Sequence, residues 1–127
     1  MPTVFSPDGK KIVTILEGRN VRIWDAESGK NLLNFNLPGN IPDFFQTVIF
    51  SPDGKKILVQ GDNNTVLIRD ADSGKELKKL EGHTGGVIAI EFSFDGTKLV
   101  TGDADEVVRL WDLEHWTEPR WNGWWYR

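Results

Sequence analysis

Apolar residues along the chain fall into short runs separated by clusters of glycine, serine, proline, aspartate and asparagine, the rhythm of β-strands joined by tight turns. Between positions 47 and 80 the runs predict four strands, Thr47 to Phe50, Lys56 to Gln60, Val66 to Asp70 and Glu76 to Leu80. Ser51-Pro52-Asp53-Gly54 joins the first two: proline fixes φ, aspartate bonds nearby backbone, and glycine is free to take positive φ. Asp62-Asn63-Asn64 turns the chain a second time and Ser73-Gly74 a third. Four strands so joined make a small antiparallel meander. Most strands carry apolar residues on both faces, as in Ile88, Ala89, Ile90 and Phe92, which predicts a sheet lying between two neighbours. Helical spacing is absent.

The pattern then recurs. Val4-Phe5-Ser6-Pro7-Asp8-Gly9 returns as Ile49-Phe50-Ser51-Pro52-Asp53-Gly54 and again as Glu91-Phe92-Ser93-Phe94-Asp95-Gly96, with phenylalanine spacings of 45 and 42 residues. A second block keeps the same spacing: Val21-Arg22-Ile23-Trp24-Asp25, Val66-Leu67-Ile68-Arg69-Asp70 and Val108-Arg109-Leu110-Trp111-Asp112. A four-strand unit with a period of this length is what a β-propeller requires, each unit forming one blade that buries its faces against the next.

With Trp24-Asp25, Trp111-Asp112, Gly82-His83 and the distance from His83 to Trp111, the chain resembles the WD-repeat (WD40) family over about residues 4 to 115. The resemblance implies an all-β fold of three four-stranded antiparallel blades in one domain, an incomplete ring that needs a partner to close. The blades are expected at about 2–37, 44–81 and 86–122, with a Trp-rich tail at 113–127. The family's buried hydrogen-bonded tetrad, carried over, falls on His83, Thr101, Asp105 and Trp111. An imidazole between a carboxylate and a hydroxyl, the hydroxyl meeting an indole N–H, satisfies several buried polar groups together. The first repeat keeps Thr14 and Trp24 but has Gly18 at the aspartate position, and the second has Ile41, Val59, Asn63 and Arg69. The middle blade is therefore expected to be the least well pinned.

Charge and composition narrow the functions. Fifteen basic against 19 acidic side chains, spread along the chain, offer no basic patch for a phosphate backbone, so nucleic acid is not an expected partner. Cysteine is absent, which excludes disulfides and thiolate metal sites. No stretch is long and apolar enough to span a bilayer and no signal-type segment opens the sequence, so no membrane partner and a cytoplasmic location are expected. His83 with Thr101 and Asp105 has the composition of a catalytic triad, but repeat position accounts for each member. His115 lacks partners in sequence, Asp8, Asp53 and Asp95 recur as turn formers, and Asp62-Asn63-Asn64 lacks the rest of a calcium loop. No catalytic residue, metal site or cofactor is expected.

Two regions depart from the repeat. The tail carries Trp116, Trp121, Trp124, Trp125 and Tyr126, and the loop before the second unit carries Phe44 and Phe45. Aromatics are enriched at interface cores, so these residues are candidate contacts, although each could equally cover its own blade. Three blades fall short of the ~4 to 8 that close a propeller. The expected function is a protein-interaction scaffold, a homo-oligomer or partner-completed ring with its loop rims and central opening as binding surface. The alternative is a fragment of a longer propeller, suggested by a start at Val4-Phe5 partway into a first strand. A propeller enzyme is the third reading.

Overall fold

The computed structural model describes residues 3–17, 19–37, 47–60, 64–113 and, for the backbone, 123–126. They form three four-stranded antiparallel sheets in chain order. The first holds β1 (Thr3–Phe5), β2 (Lys11–Leu16), β3 (Asn20–Asp25) and β4 (Asn31–Asn36). In the second are β5 (Val48–Phe50), β6 (Lys56–Gln60), β7 (Val66–Asp70) and β8 (Glu76–Leu80), and in the third β9 (Val87–Phe92), β10 (Lys98–Asp103), β11 (Val108–Asp112) and β12 (Gly123–Tyr126). The strand closing the third sheet thus lies past residue 122, where that blade was expected to end. The register is the same in each sheet: Lys11 pairs with Asp25, Lys56 with Asp70 and Lys98 with Asp112.

The recurring Ser-x-Asp-Gly segment explains why the first hairpins form. In the second sheet the Ser51 hydroxyl donates to Asp53 Oδ1 at 2.6 Å and accepts the Lys56 N–H at 3.0 Å, while Asp53 Oδ1 also accepts the Lys55 N–H at 2.9 Å. Ser6 with Asp8 and Ser93 with Asp95 repeat the arrangement. Gly9, Gly54 and Gly96 close these turns at φ of 73°, 73° and 76°, a conformation that side-chain-bearing residues seldom adopt. The turns before the outer strands of the first two sheets use aspartate again: Asp25 Oδ2 accepts the Ser28 N–H at 2.8 Å, and Asp70 Oδ2 accepts the Ser73 N–H at 2.8 Å. Of the middle hairpin turn only Asn64 is described, at φ 59°; Asp62 and Asn63 lie outside the described residues.

Strand alternation sends one set of side chains toward each neighbouring sheet. Val13, Ile15, Val21 and Ile23 of the first sheet meet Phe50, Ile57, Val59 and Leu67 of the second in one core layer. Leu58, Val66, Ile68 and Leu80 of the second meet Ile90, Leu99 and Trp111 of the third in another. The second sheet is therefore sandwiched, and Ile57, Leu58, Val59, Val66, Leu67 and Ile68 are all fully buried. The middle blade, expected from its sequence to be the least well pinned, lacks the polar network but has apolar cover on both faces.

Candidate functional site

In the third blade a buried chain of polar groups links four side chains. His83 Nδ1 lies 2.8 Å from Asp103 Oδ2, His83 Nε2 contacts the Thr101 hydroxyl, and Trp111 Nε1 donates to that hydroxyl at 3.0 Å. The consistent order has Nδ1–H donating to the carboxylate and Nε2 accepting the Thr101 O–H, leaving the hydroxyl oxygen for the indole. The carboxylate is Asp103, not Asp105. Thr101 and Asp103 are two residues apart on β10 and so share its face, whereas Asp105 lies in the exposed turn beyond the strand and accepts from Thr84 Oγ1 at 2.8 Å. Alternation alone would also place Asp105 on that face; the end of β10 at Asp103 is what separates the two. Its second oxygen, Oδ1, accepts the N–H groups of Asp105 at 2.9 Å and Val107 at 3.0 Å, so the same side chain fixes the hairpin turn.

Burial pushes the Asp103 carboxyl upward, but the Val107 N–H, His83 and the Asp105 N–H outweigh it and hold the group below the ordinary carboxylate range. Gly82, at φ 125°, positions His83, and the Arg109 guanidinium fills the space that a Cβ at Gly82 would take. Thr101 is fully enclosed and its oxygen is engaged by Trp111, so the arrangement has the chemistry of a structural pin rather than of an activated nucleophile. The first blade retains half of it, Trp24 Nε1 donating to Thr14 Oγ1 at 3.0 Å. In the second, Arg69 Nη1 donates to the Gly74 carbonyl at 2.9 Å and the guanidinium stacks 4.5 Å above the Phe35 ring of the first blade. Among the described residues no cluster of three or more histidine, aspartate or glutamate side chains could hold a metal ion.

The two outward sheet faces are the remaining surface with a specific character. Phe5 is 60% exposed, whereas Phe50, at the same register position one blade on, is 7% exposed. Val100 and Val108 are 38% and 39% exposed, whereas their counterparts Leu58 and Val66 are fully buried. Leu32 on the first blade and Ile88 on the third are also exposed. Each end blade thus presents in water the side that its neighbour in the stack buries. Of the aromatic candidates, Phe44, Phe45, Trp116 and Trp121 lie outside the described residues, and Trp124, Trp125 and Tyr126 are placed by backbone on β12, paired with β11.

The family described as WD domain, G-beta repeat matches residues 74–112, which hold the His83 to Trp111 network. The chain is also 32% identical over 107 residues to Protein groucho of Drosophila melanogaster, an alignment covering 84% of this chain and 14% of that protein. The chain belongs to the WD-repeat family. WD repeats form a scaffold kind of domain, and WD-repeat proteins bind other proteins. The chain spans about a seventh of the curated relative's length, so the likeness concerns the repeat and not that whole protein. Among the described residues no helix is long and apolar enough to cross a membrane.

Proposed function

We propose that this WD-repeat chain is a protein-interaction scaffold completed by self-association through its two end faces. One observation carries the reading: residues at equivalent register positions are buried inside the stack and exposed at its ends, Phe50 against Phe5 and Leu58 against Val100. Exposed apolar surface on both sides of a stack favours a partner that covers it. Closing contacts at both ends of one chain lose translational freedom once and bury surface twice, which favours a closed ring over an open pair.

Hydroxyl-radical footprinting across a dilution series tests this. Modification of Phe5, Leu32, Ile88 and Phe94 falls as protein concentration rises, while Leu77, exposed on the outer strand of the middle blade, serves as an unchanged control. Equal modification at all concentrations contradicts self-association. That second outcome would favour the other reading, a segment of a longer propeller whose neighbouring blades cover these faces, which the 14% coverage of Protein groucho also supports.

A further inference from the structure

Resting on that reading, we infer that a second copy of this chain continues the blade stack in register, blade 3 of one copy receiving blade 1 of the other, so that two copies close six blades. The internal interfaces supply the rule. Between blades 1 and 2, Pro7 packs on the first turn of blade 2, its Cδ 3.9 Å from where a Cβ on Gly54 would stand. Between blades 2 and 3, Pro52 does the same at Gly96, at 3.7 Å. The third repeat has Phe94 at the proline position, and Phe94 is 103% exposed. Its target by the same rule is the first turn of the next blade. Gly9, the corresponding glycine of blade 1, has nothing within 4 Å of its Cβ position. The larger side chain and the open glycine are the two halves of a contact made twice already inside the chain.

Charge follows the same direction. Lys11 of blade 1 pairs with Asp72 of blade 2 at 2.6 Å. Asp72 stands two residues after the strand-ending Asp70, and the same step after Asp25 reaches Glu27 on blade 1. Lys98 of blade 3 shares the register position of Lys11, and among the described residues neither Lys98 nor Glu27 is in an ion pair. Lys98 of one copy and Glu27 of the other are therefore the matched pair at the new junction. The outer strands agree as well. Gly74 of blade 2 lies against Leu33 and Phe35 of blade 1, while Gly29 of blade 1 has nothing within 4 Å of its Cβ position. Trp124 and Tyr126 on β12 occupy the register positions that Leu33 and Phe35 hold on β4. Polarity, charge and register thus all point from blade 3 to a first blade. Six is the one multiple of three among the ~4 to 8 blades with which propellers close, which fixes the number of copies at two. The contact is head to tail and made twice about a twofold axis.

Sedimentation of charge-swapped chains tests the pairing. Lys98→Glu sets a second carboxylate opposite Glu27 at both junctions, and Glu27→Lys sets a second ammonium opposite Lys98. Each variant alone is expected to dimerise about tenfold more weakly than wild type, an effect of exposed like charges that salt reduces. Mixed one to one, the two variants form one junction with the charges reversed, a carboxylate at position 98 against an ammonium at position 27, and one with the native Lys98–Glu27 pair intact, and dimer strength recovers above that of either variant alone. Phe94→Ser is expected to weaken the dimer about a hundredfold, since its ring is lost from both junctions. Circular dichroism of each variant confirms that the blades remain folded. A dimer indifferent to all three substitutions overturns this pairing while leaving self-association by another surface standing. A wild-type chain that stays monomeric overturns both.

Discussion

His83, Thr101 and Trp111 occupy one continuous buried network, and its carboxylate end is set by which residues of β10 share a face. Removing a partner leaves a buried polar group unsatisfied, so His83→Ala and Asp103→Ala are each expected to cost about 1–3 kcal/mol in urea unfolding. Asp105→Ala, at an exposed turn position, is expected to change stability by less than about 0.5 kcal/mol. Equal losses for Asp103 and Asp105 would contradict the assignment. The first-turn aspartates couple the fold to acid. Hydrogen bonds from the Thr97 N–H, the Thr97 hydroxyl and the Ser93 hydroxyl lower the Asp95 carboxyl from its ordinary 3.8 to about 2. Similar bonds lower Asp8, led by the Lys10 N–H, and Asp53, led by Ser51. Groups whose folded pKa is depressed contribute stability that is fully present above the unfolded value and is lost as pH falls through the folded one. The melting temperature is therefore expected to fall between pH 4 and pH 2, and Asp95→Asn to start lower at neutral pH and fall less across that window. At this scale the sequence displayed the chemistry of the Ser-x-Asp-Gly and Ser-Gly turns, because local spacing determines which N–H groups an aspartate can reach. It left the tetrad's acid two residues out, because that choice depends on where β10 ends and its turn begins.

At the level of strands, the four segments read between 47 and 80 recur as β5 to β8 with one end moved by a single residue. Alternation and turn residues sufficed there. What they did not convey was the apolar cover over β6 and β7, which comes from the neighbouring sheets, whereas Arg69 at a tryptophan position suggested weakness. Arg69 is accommodated by stacking on Phe35 of the neighbouring blade, a contact between repeats that no single repeat displays. Hydrogen exchange on dilute protein separates the two views. Amides of Lys56–Gln60 and Val66–Asp70 are expected to exchange more slowly than those of Lys98–Asp103 and Val108–Asp112, because opening the middle sheet exposes two core layers and opening an end sheet exposes one. Faster exchange in the middle sheet would restore the polar network as the dominant pin.

For the molecule as a whole, three sheets in a row have two filled inner layers, and among the described residues the two outer faces are left uncovered. The residues on those faces are of similar type, at the same register positions, as residues buried within the stack. Burying apolar surface contributes roughly 25 cal/mol per Å², and association costs ~4–15 kcal/mol, so two junctions made together are far better placed to exceed that cost than one. Legibility was uneven here too: the number of blades follows from the repeat count, but the direction of the proposed assembly required seeing which way Pro7, Pro52 and Lys11 reach. Sedimentation equilibrium of the purified chain at micromolar concentration is the most direct measurement. A particle of about twice 14.4 kDa that dissociates on dilution is expected, and a homogeneous 14.4 kDa monomer with both end faces in water would overturn self-association.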